Sequence, residues 1–454
     1  AFVCHCIGLK AFWLRRKATR GAKLTAVLRN SMLACSARLI FFGRAASLPE
    51  PLGPQTGRRT GCRKSPNGLA GLQNERKRCA EVLAGATLVS MVALRQHQRG
   101  AAACRRSSTA SESKPSTSVR TALDEVKKGE FKRKESTYRN TIERGGRFEP
   151  EKDRYHLYVA LACPWACGTL AALFVKGLED CIGYSIVHPT WQKTKEDPDD
   201  PHCGWVFRKP GDAPLQNTAG NGNFDCDDAL VHDTVNSFTS VRELYEKSND
   251  ASGKYTTPVL WDKQEGCIVN NESTEILAML NSQFQEWAKH PEIDLYPADL
   301  ADACKAANEW IYPNINNGVY RAGFATAQEP YDEAVQGLFK HLDKAEAILA
   351  KQRYIAGDRF TWMDIRLFMT LVRFDEVYVV YFKCNKGTIQ DNYPNLLEYC
   401  KDIYQTHRVG KSINMEHIKT HYFTSHPTLN AYAVIPAGRT VDFAGPHERQ
   451  KLSA

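Results

Sequence analysis

Residues 155–167, Tyr-His-Leu-Tyr-Val-Ala-Leu-Ala-Cys-Pro-Trp-Ala-Cys, constrain the fold of this chain more than any other stretch. Alternating apolar and aromatic side chains predict a short buried strand, and the Ala162-Cys163-Pro164 step breaks it. Leu170, Leu173, Phe174 and Leu178 then predict a helix. Pro164 suits the first helical position, where a missing N–H leaves no bond unmade. Cys163 is thereby expected at a helix N-terminus. Free N–H groups and the positive end of the helix dipole favour an anion there, and the thiolate is the reactive form of cysteine. The alternative is a small buried hydrophobe, the usual fate of a free cysteine. Residues 182–189 read as a second strand, which makes strand, helix and strand a βαβ unit with parallel pairing.

Composition matters through its distribution. Residues 1–120 hold 22 Lys and Arg against 4 Asp and Glu, and the remainder holds 38 against 47. The net charge of +9 is therefore a property of the first 120 residues, and the acidic remainder gives no support to nucleic-acid binding. The basic stretch is rich in Arg, Ala and Ser, with short apolar patches at 31–42 and 80–94, as in organelle transit segments. The second patch contains Glu81 and is short for a membrane span, so no stable span is expected. Residues 1–120 read as a largely disordered targeting leader to a plastid or other organelle; a basic tail or extraneous sequence is the alternative, and the body would then be cytoplasmic. The 15 cysteines, six before residue 120 and nine after, show no Cys-x-x-Cys pairs and no Cys/His cluster at zinc spacing. Reduced thiols and no metal are expected.

Residues 121–146 are charged and contain Gly129, Gly145 and Gly146, and read as a linker. Polar segments 197–201 and 211–228 read as loops around Gly204-Trp205-Val206-Phe207. A helix begins at 241–245, and 254–262 reads as a strand containing Pro258. Residues 267–284 read as a strand running into a helix, with Asn271, Glu272 and Ser273 at the helix start. A hydroxyl and free amides there suit a ligand carboxylate, and a nearby Glu suits an amino group; simple capping explains the same cluster. Helical periodicity follows at 299–316, 331–351, 363–377 and 396–405, so the second half is all-α. The aromatic segments 314–324, with Tyr320, and 378–382 read first as core. Residues 413–454, including His421-Tyr422-Phe423-Thr424-Ser425-His426, read as coil packed on the body. The expected domains are 147–288 and 289–412.

This order of elements resembles a glutathione transferase: an α/β thioredoxin-like N-terminal domain followed by an all-α helical C-terminal domain. Eight ordered motifs carry a closer likeness to the Xi class, the glutathionyl-hydroquinone reductases. They are Cys163-Pro164-Trp165-Ala166, the 204–207 and 257–262 segments, 268–273, 314–320, 322–326, 382–385 and 421–426. The likeness spans about residues 147–438 and omits the leader. It implies that Cys163 is the catalytic thiol, with a cis peptide at Pro258 and Val259 pairing its backbone with glutathione. Glu272 and Ser273 would hold the γ-glutamyl end, and Trp205 would pack against the tripeptide. Tyr320 and Tyr422, with Tyr378 as a neighbour, would line an open aromatic pocket for a hydroquinone conjugate. Tyr320 and Tyr422 would assist proton delivery. A homodimer is implied too.

Two departures stand out. Cys167 and Gly168 occupy positions where the family carries His or another residue and then Arg, which removes a cation from beside the thiol. The segment between Phe207 and Arg242 is also long. Cys167 lies one turn from Cys163 and could resolve a disulfide, although a packing role is the more common use. The resemblance implies removal of glutathione from glutathionyl-hydroquinones through a Cys163–glutathione mixed disulfide, with glutathione as co-substrate. The rival readings are a general cysteine-type thioltransferase or dehydroascorbate reductase, and a non-catalytic glutathione-fold binding protein.

Overall fold

The structure is a computed structural model that describes residues 125–250 and 252–452 of the 454. The leader expectation for residues 1–120 lies outside these residues.

The order of apolar residues around Leu157 decides the centre of the fold. Strand β3 (Tyr155–Val159) is buried along its whole length. Because side chains alternate across a strand, Tyr155, Leu157 and Val159 enter one core while Tyr158 enters the other, so both faces of the sheet are covered. β4 (Gly183–Ile186) pairs with β3 in parallel, with Leu157 opposite Tyr184. A parallel neighbour requires a crossover, and helix α1 (Pro164–Lys176) supplies it. Helix α2 (Val241–Lys247) packs on the face that receives Tyr158. β7 (Val259–Asp262) pairs antiparallel with β3, with Tyr158 opposite Val259, and β8 (Cys267–Asn270) completes the order β4-β3-β7-β8. A separate short ribbon pairs β5 (Gln192–Lys193) with β6 (Cys203–Gly204). Helix α3 (Ser273–Ser282) leaves β8 and packs beside α1. The parallel βαβ unit and the strand-to-helix step at Asn271 are both as the sequence predicts.

The second half is helical: α4 (Ala301–Ile311), α5 (Gly318–Gly323), α6 (Gln328–Leu349), α7 (Trp362–Leu371), α8 (Ile389–Asn392), α9 (Pro394–Gln405) and α10 (Met415–Thr424). The predicted helices at 299–316 and 363–377 do not run straight through. Each ends in a π-turn, Tyr312–Asn316 and Phe374–Tyr378, whose wider winding re-aims the residues that follow. Gly323 is required by a close approach, since a Cβ there would meet the Phe382 ring at 2.1 Å.

Two expectations are corrected. Residues 415–424 are helix rather than coil: Asn414 Oδ1 caps the first turn by accepting from the His417 amide. The helix is buried on most sides through His417, Ile418, His421, Tyr422 and Phe423, so it shows no polar face to give a helical pattern. Residues 121–146 are not simply a linker. β1 (Val126–Lys127) and β2 (Glu130–Phe131) form a hairpin around Lys128 and Gly129, both at positive φ, as a two-residue turn of this kind requires. Thr326 donates its amide to Gly129 O at 3.1 Å, and Phe131 is fully buried in the helical half. Burying a phenylalanine stabilises the docked hairpin by roughly 2 kcal/mol. Among the described residues no helix is long and apolar enough to cross a membrane.

Candidate active site

Cys163 is the residue at which β3 stops and α1 starts. Its backbone is extended (φ −78°, ψ 118°), Pro164 takes the first helical position, and the Cys163 carbonyl accepts from the Cys167 amide at 2.9 Å. The thiol is partly exposed and lies 3.5 Å from Thr257 O. The Thr257–Pro258 peptide is cis, as expected, and Val259 behind it is buried at the start of β7.

A cavity of about 580 Å³ opens beside this helix start, within the usual range of small-molecule sites. Pro258, Glu272 and Ser273 line it, with Trp165, Arg133 and Arg366. Glu272 is the N-cap of α3; its carboxylate accepts from the Thr274 amide at 3.4 Å and from Ser136 Oγ at 3.0 Å. Ser273 is the first residue of the helix, so its hydroxyl and the free amides of that turn meet the cavity. Asn271 lines the cavity too, with its side chain committed to the scaffold: its Oδ1 accepts from the Tyr138 amide and its Nδ2 donates to Tyr245 Oη.

The second cluster lies against the helical half. Tyr320 Oη and Tyr422 Oη are 2.6 Å apart, and Tyr378 Oη is 3.2 Å from Tyr422 Oη. Burial pushes all three hydroxyls above the usual phenol range, Tyr378 and Tyr422 well above it. At Tyr320 the Cys163 sulfur adds to the rise and the Arg133 guanidinium opposes it. Tyr320 is thus the least raised of the three and the one in electrostatic reach of Cys163.

The expected open pocket is instead roofed. Tyr320, Tyr378 and Tyr422 are all buried: Phe131 of the hairpin packs 6.4 Å from the Tyr320 ring and 5.6 Å from Phe324, and Phe382 packs against Tyr378 and Tyr422. Trp205, like Cys163, Val259, Tyr320 and Tyr422, stands outside the lining of this cavity; its indole stacks on His421 at 4.4 Å and meets Trp191 edge-on. It therefore braces helix α10, which carries Tyr422.

Cys167 faces away from the cavity. It is fully buried, its sulfur lies 2.9 Å from Leu161 O and 3.0 Å from Arg373 Nη2, and burial pushes its thiol up to about 11. Arg373, just beyond α7, also donates to Leu161 O and Ala162 O. A cation from the helical half thus supports the strand-to-helix turn in a chain that lacks one at position 168.

The sequence reading missed Arg133, Trp165 and Arg366 as site residues. Trp165 stands inside the Cys-Pro-Trp motif. Arg133 and Arg366 carry no local signal, because what brings them here is packing: the Arg133 and Arg366 guanidinium carbons lie 5.3 and 5.5 Å from the Trp165 ring centroid.

Comparison with known proteins agrees with this arrangement. Residues 162–283 match the glutathione S-transferase N-terminal domain family, and 328–402 match the corresponding C-terminal domain family. Glutathionyl-hydroquinone reductase YqjG of Escherichia coli (strain K12) is 42% identical over 330 residues, 71% of this chain and 92% of that protein. The Xi-class GST of Natrialba magadii superposes with a TM-score of 0.62 at 44% identity, covering 70% of this chain and 89% of the other. The glutathione-bound structure of YqjG gives 0.61 at 41% identity, covering 69% and 96%. With the thioredoxin-like half, the helical half and the Cys-Pro helix start all in place, this chain belongs to the Xi class of glutathione transferases.

Proposed function

We propose that this protein is a glutathionyl-hydroquinone reductase. The observation that carries the reading is the meeting, at one helix start, of a partly exposed Cys163, a cavity lined by Glu272 and Ser273, and a Tyr320 hydroxyl within electrostatic reach of the thiol. Likeness to YqjG over most of that protein's length supports it.

Glutathione occupies the cavity, its γ-glutamyl ammonium on Glu272 and its carboxylate on Ser273 and the first turn of α3. Val259, after the cis Pro258, offers its backbone to the cysteinyl part. The Cys163 thiolate attacks the glutathione sulfur of the conjugate, forming a Cys163–glutathione disulfide as the carbon–sulfur bond breaks. Before that attack Tyr320, relayed by Tyr422, passes the proton of a ring hydroxyl to the sulfur-bearing carbon, so the carbon–sulfur electrons enter the adjacent carbonyl and hydroquinone leaves once its oxygen is protonated. A second glutathione, as thiolate, attacks the mixed disulfide, and oxidised glutathione departs with Cys163 restored. The ring is reduced by two electrons and two glutathione sulfurs are oxidised. Tyr378 holds Tyr422 in position, Trp205 braces the helix that carries Tyr422, and a homodimer is the assembly.

The test is turnover of glutathionyl-menadiol, dehydroascorbate and a glutathione mixed disulfide by wild type and Cys163→Ser. The reading expects turnover of the quinol conjugate by wild type, none by the variant, and a glutathione adduct on intact wild-type protein alone. Slow turnover of the conjugate beside fast turnover of the other two would replace it with a general thioltransferase.

A further inference from the structure

The chemistry of the leaving group asks for a positive charge that the three tyrosines, as neutral phenols, do not supply. Attack on the sulfur of an aryl thioether would expel a ring carbanion, which the π-system cannot stabilise. The workable route first moves a proton from a ring hydroxyl to the sulfur-bearing carbon, giving the keto tautomer. When Cys163 then takes the sulfur, the carbon–sulfur electron pair flows into the adjacent carbonyl, and the charge emerges on a ring oxygen as an enolate. Protonation of that oxygen completes the hydroquinone. The site therefore needs a hydrogen-bond donor at the position of this oxygen, near both the thiol and Tyr320, and a cationic donor there also offsets the charge itself. The buried tyrosines, all raised, hold protons rather than negative charge.

Arg133 meets the requirement. Its guanidinium carbon lies 4.9 Å from the Tyr320 ring centroid and 5.3 Å from that of Trp165, two residues beyond Cys163, and the residue lines the cavity. Nε is anchored at 3.1 Å on Asn317 Oδ1, at the start of the helix that carries Tyr320. Among the described residues the two terminal nitrogens make no hydrogen bond and no carboxylate pairs with the group. An arginine fixed at one nitrogen with its other donors uncommitted is preorganised for an oxyanion. The hairpin it follows is itself held, by Thr326 N on Gly129 O and by Arg321 3.6 Å from Glu130.

We propose that Arg133 is a catalytic residue of the reductase reaction: its free guanidinium nitrogens bind the ring oxygen on which charge collects as the carbon–sulfur bond of a glutathionyl-hydroquinone breaks. The assignment rests on the reductase reading above. It extends the active site into a segment outside both matched domain families.

The test compares wild type, Arg133→Met and Arg133→Lys on two substrates that form the same Cys163–glutathione disulfide with different leaving groups. Glutathionyl-hydroquinones with and without ring chlorines expel an enolate; the mixed disulfide of glutathione and 2-mercaptoethanol expels a thiolate. Arg133→Met is expected to lower kcat on the quinol conjugates roughly 10²–10³-fold. The disulfide reaction should change less than about twofold, the loss should shrink as ring chlorines make the phenol more acidic, and Arg133→Lys should recover part of it. Equal losses on both substrates, or a raised KM for glutathione with kcat intact, would overturn the assignment in favour of a structural or glutathione-binding role. Wild type that turns over only the disulfide would sink the reductase reading itself, a result visible before any variant is made.

Discussion

Three equally buried hydroxyls in a row are chemically unequal when the charges around them differ. Tyr320 is the least raised and has both Cys163 and Arg133 in range, whereas Tyr378 sits behind Tyr320 and Tyr422 and stacks on Phe382. Tyr320→Phe is expected to lower kcat on a quinol conjugate roughly 10²-fold, the ordinary worth of a positioned acid, with KM for glutathione unchanged. Tyr378→Phe should cost only a few-fold, and steady-state kinetics of the pair checks the ranking. Legibility divides along the same line. Cys163 could be found from its neighbours alone, because a strand, a break and a proline fix a helix start within a few residues. Tyr320 and Tyr422 could not: the first lies in an aromatic stretch that reads as core and the second in a segment that reads as coil, and only resemblance singled them out. Arg133 was invisible, since its partner Asn317 is 184 residues away and no periodicity marks a charged segment that docks.

At the scale of elements, the Cys163 turn is supported from outside its own domain. Arg373 is fully buried and donates to Met369 O at 2.7 Å, Leu161 O at 3.1 Å and Ala162 O at 3.2 Å. Burial opposes its charge, and three carbonyls and the Cys167 sulfur offset that cost. Arg373→Met would leave the Ala162 carbonyl without its side-chain donor and Leu161 O with only the Cys167 thiol, at about 2 kcal/mol, measurable as a lower denaturant midpoint. The helices themselves were readable by pattern, yet their ends were not. Both π-turns fall where a predicted helix continued, because apolar spacing persists through a wider turn. Helix α10 was missed for the opposite reason: buried nearly all round, it has no polar stripe to give it period.

For the molecule as a whole, the buried histidines set the acid limit of the fold. Burial lowers His156, His188 and His426 to about 4 in each case. A depressed folded-state value means that the unfolded chain binds protons the native state refuses. Their contribution is complete above about pH 6.5 and is lost as pH falls toward 4, at ~1.4 kcal/mol per pH unit for each histidine in that window. Asp364 runs the other way: burial raises it to about 6, so its share is lost as pH rises from about 4 through 6, and it offsets one histidine. Chemical denaturation at pH 7.5 and 5 should show a clear net fall in stability at the lower pH, and His156→Gln should shrink it. The overall architecture was legible because the βαβ unit and four helices repeat their pattern over many residues; the docking of the hairpin at 125–131 was not. That Arg373 reaches Leu161 and Ala162 also bears on modularity. The α/β half and the helical half are not exchangeable parts: an excised 147–288 fragment would lack the guanidinium that its own Cys163 turn depends on, so the two halves must be engineered together.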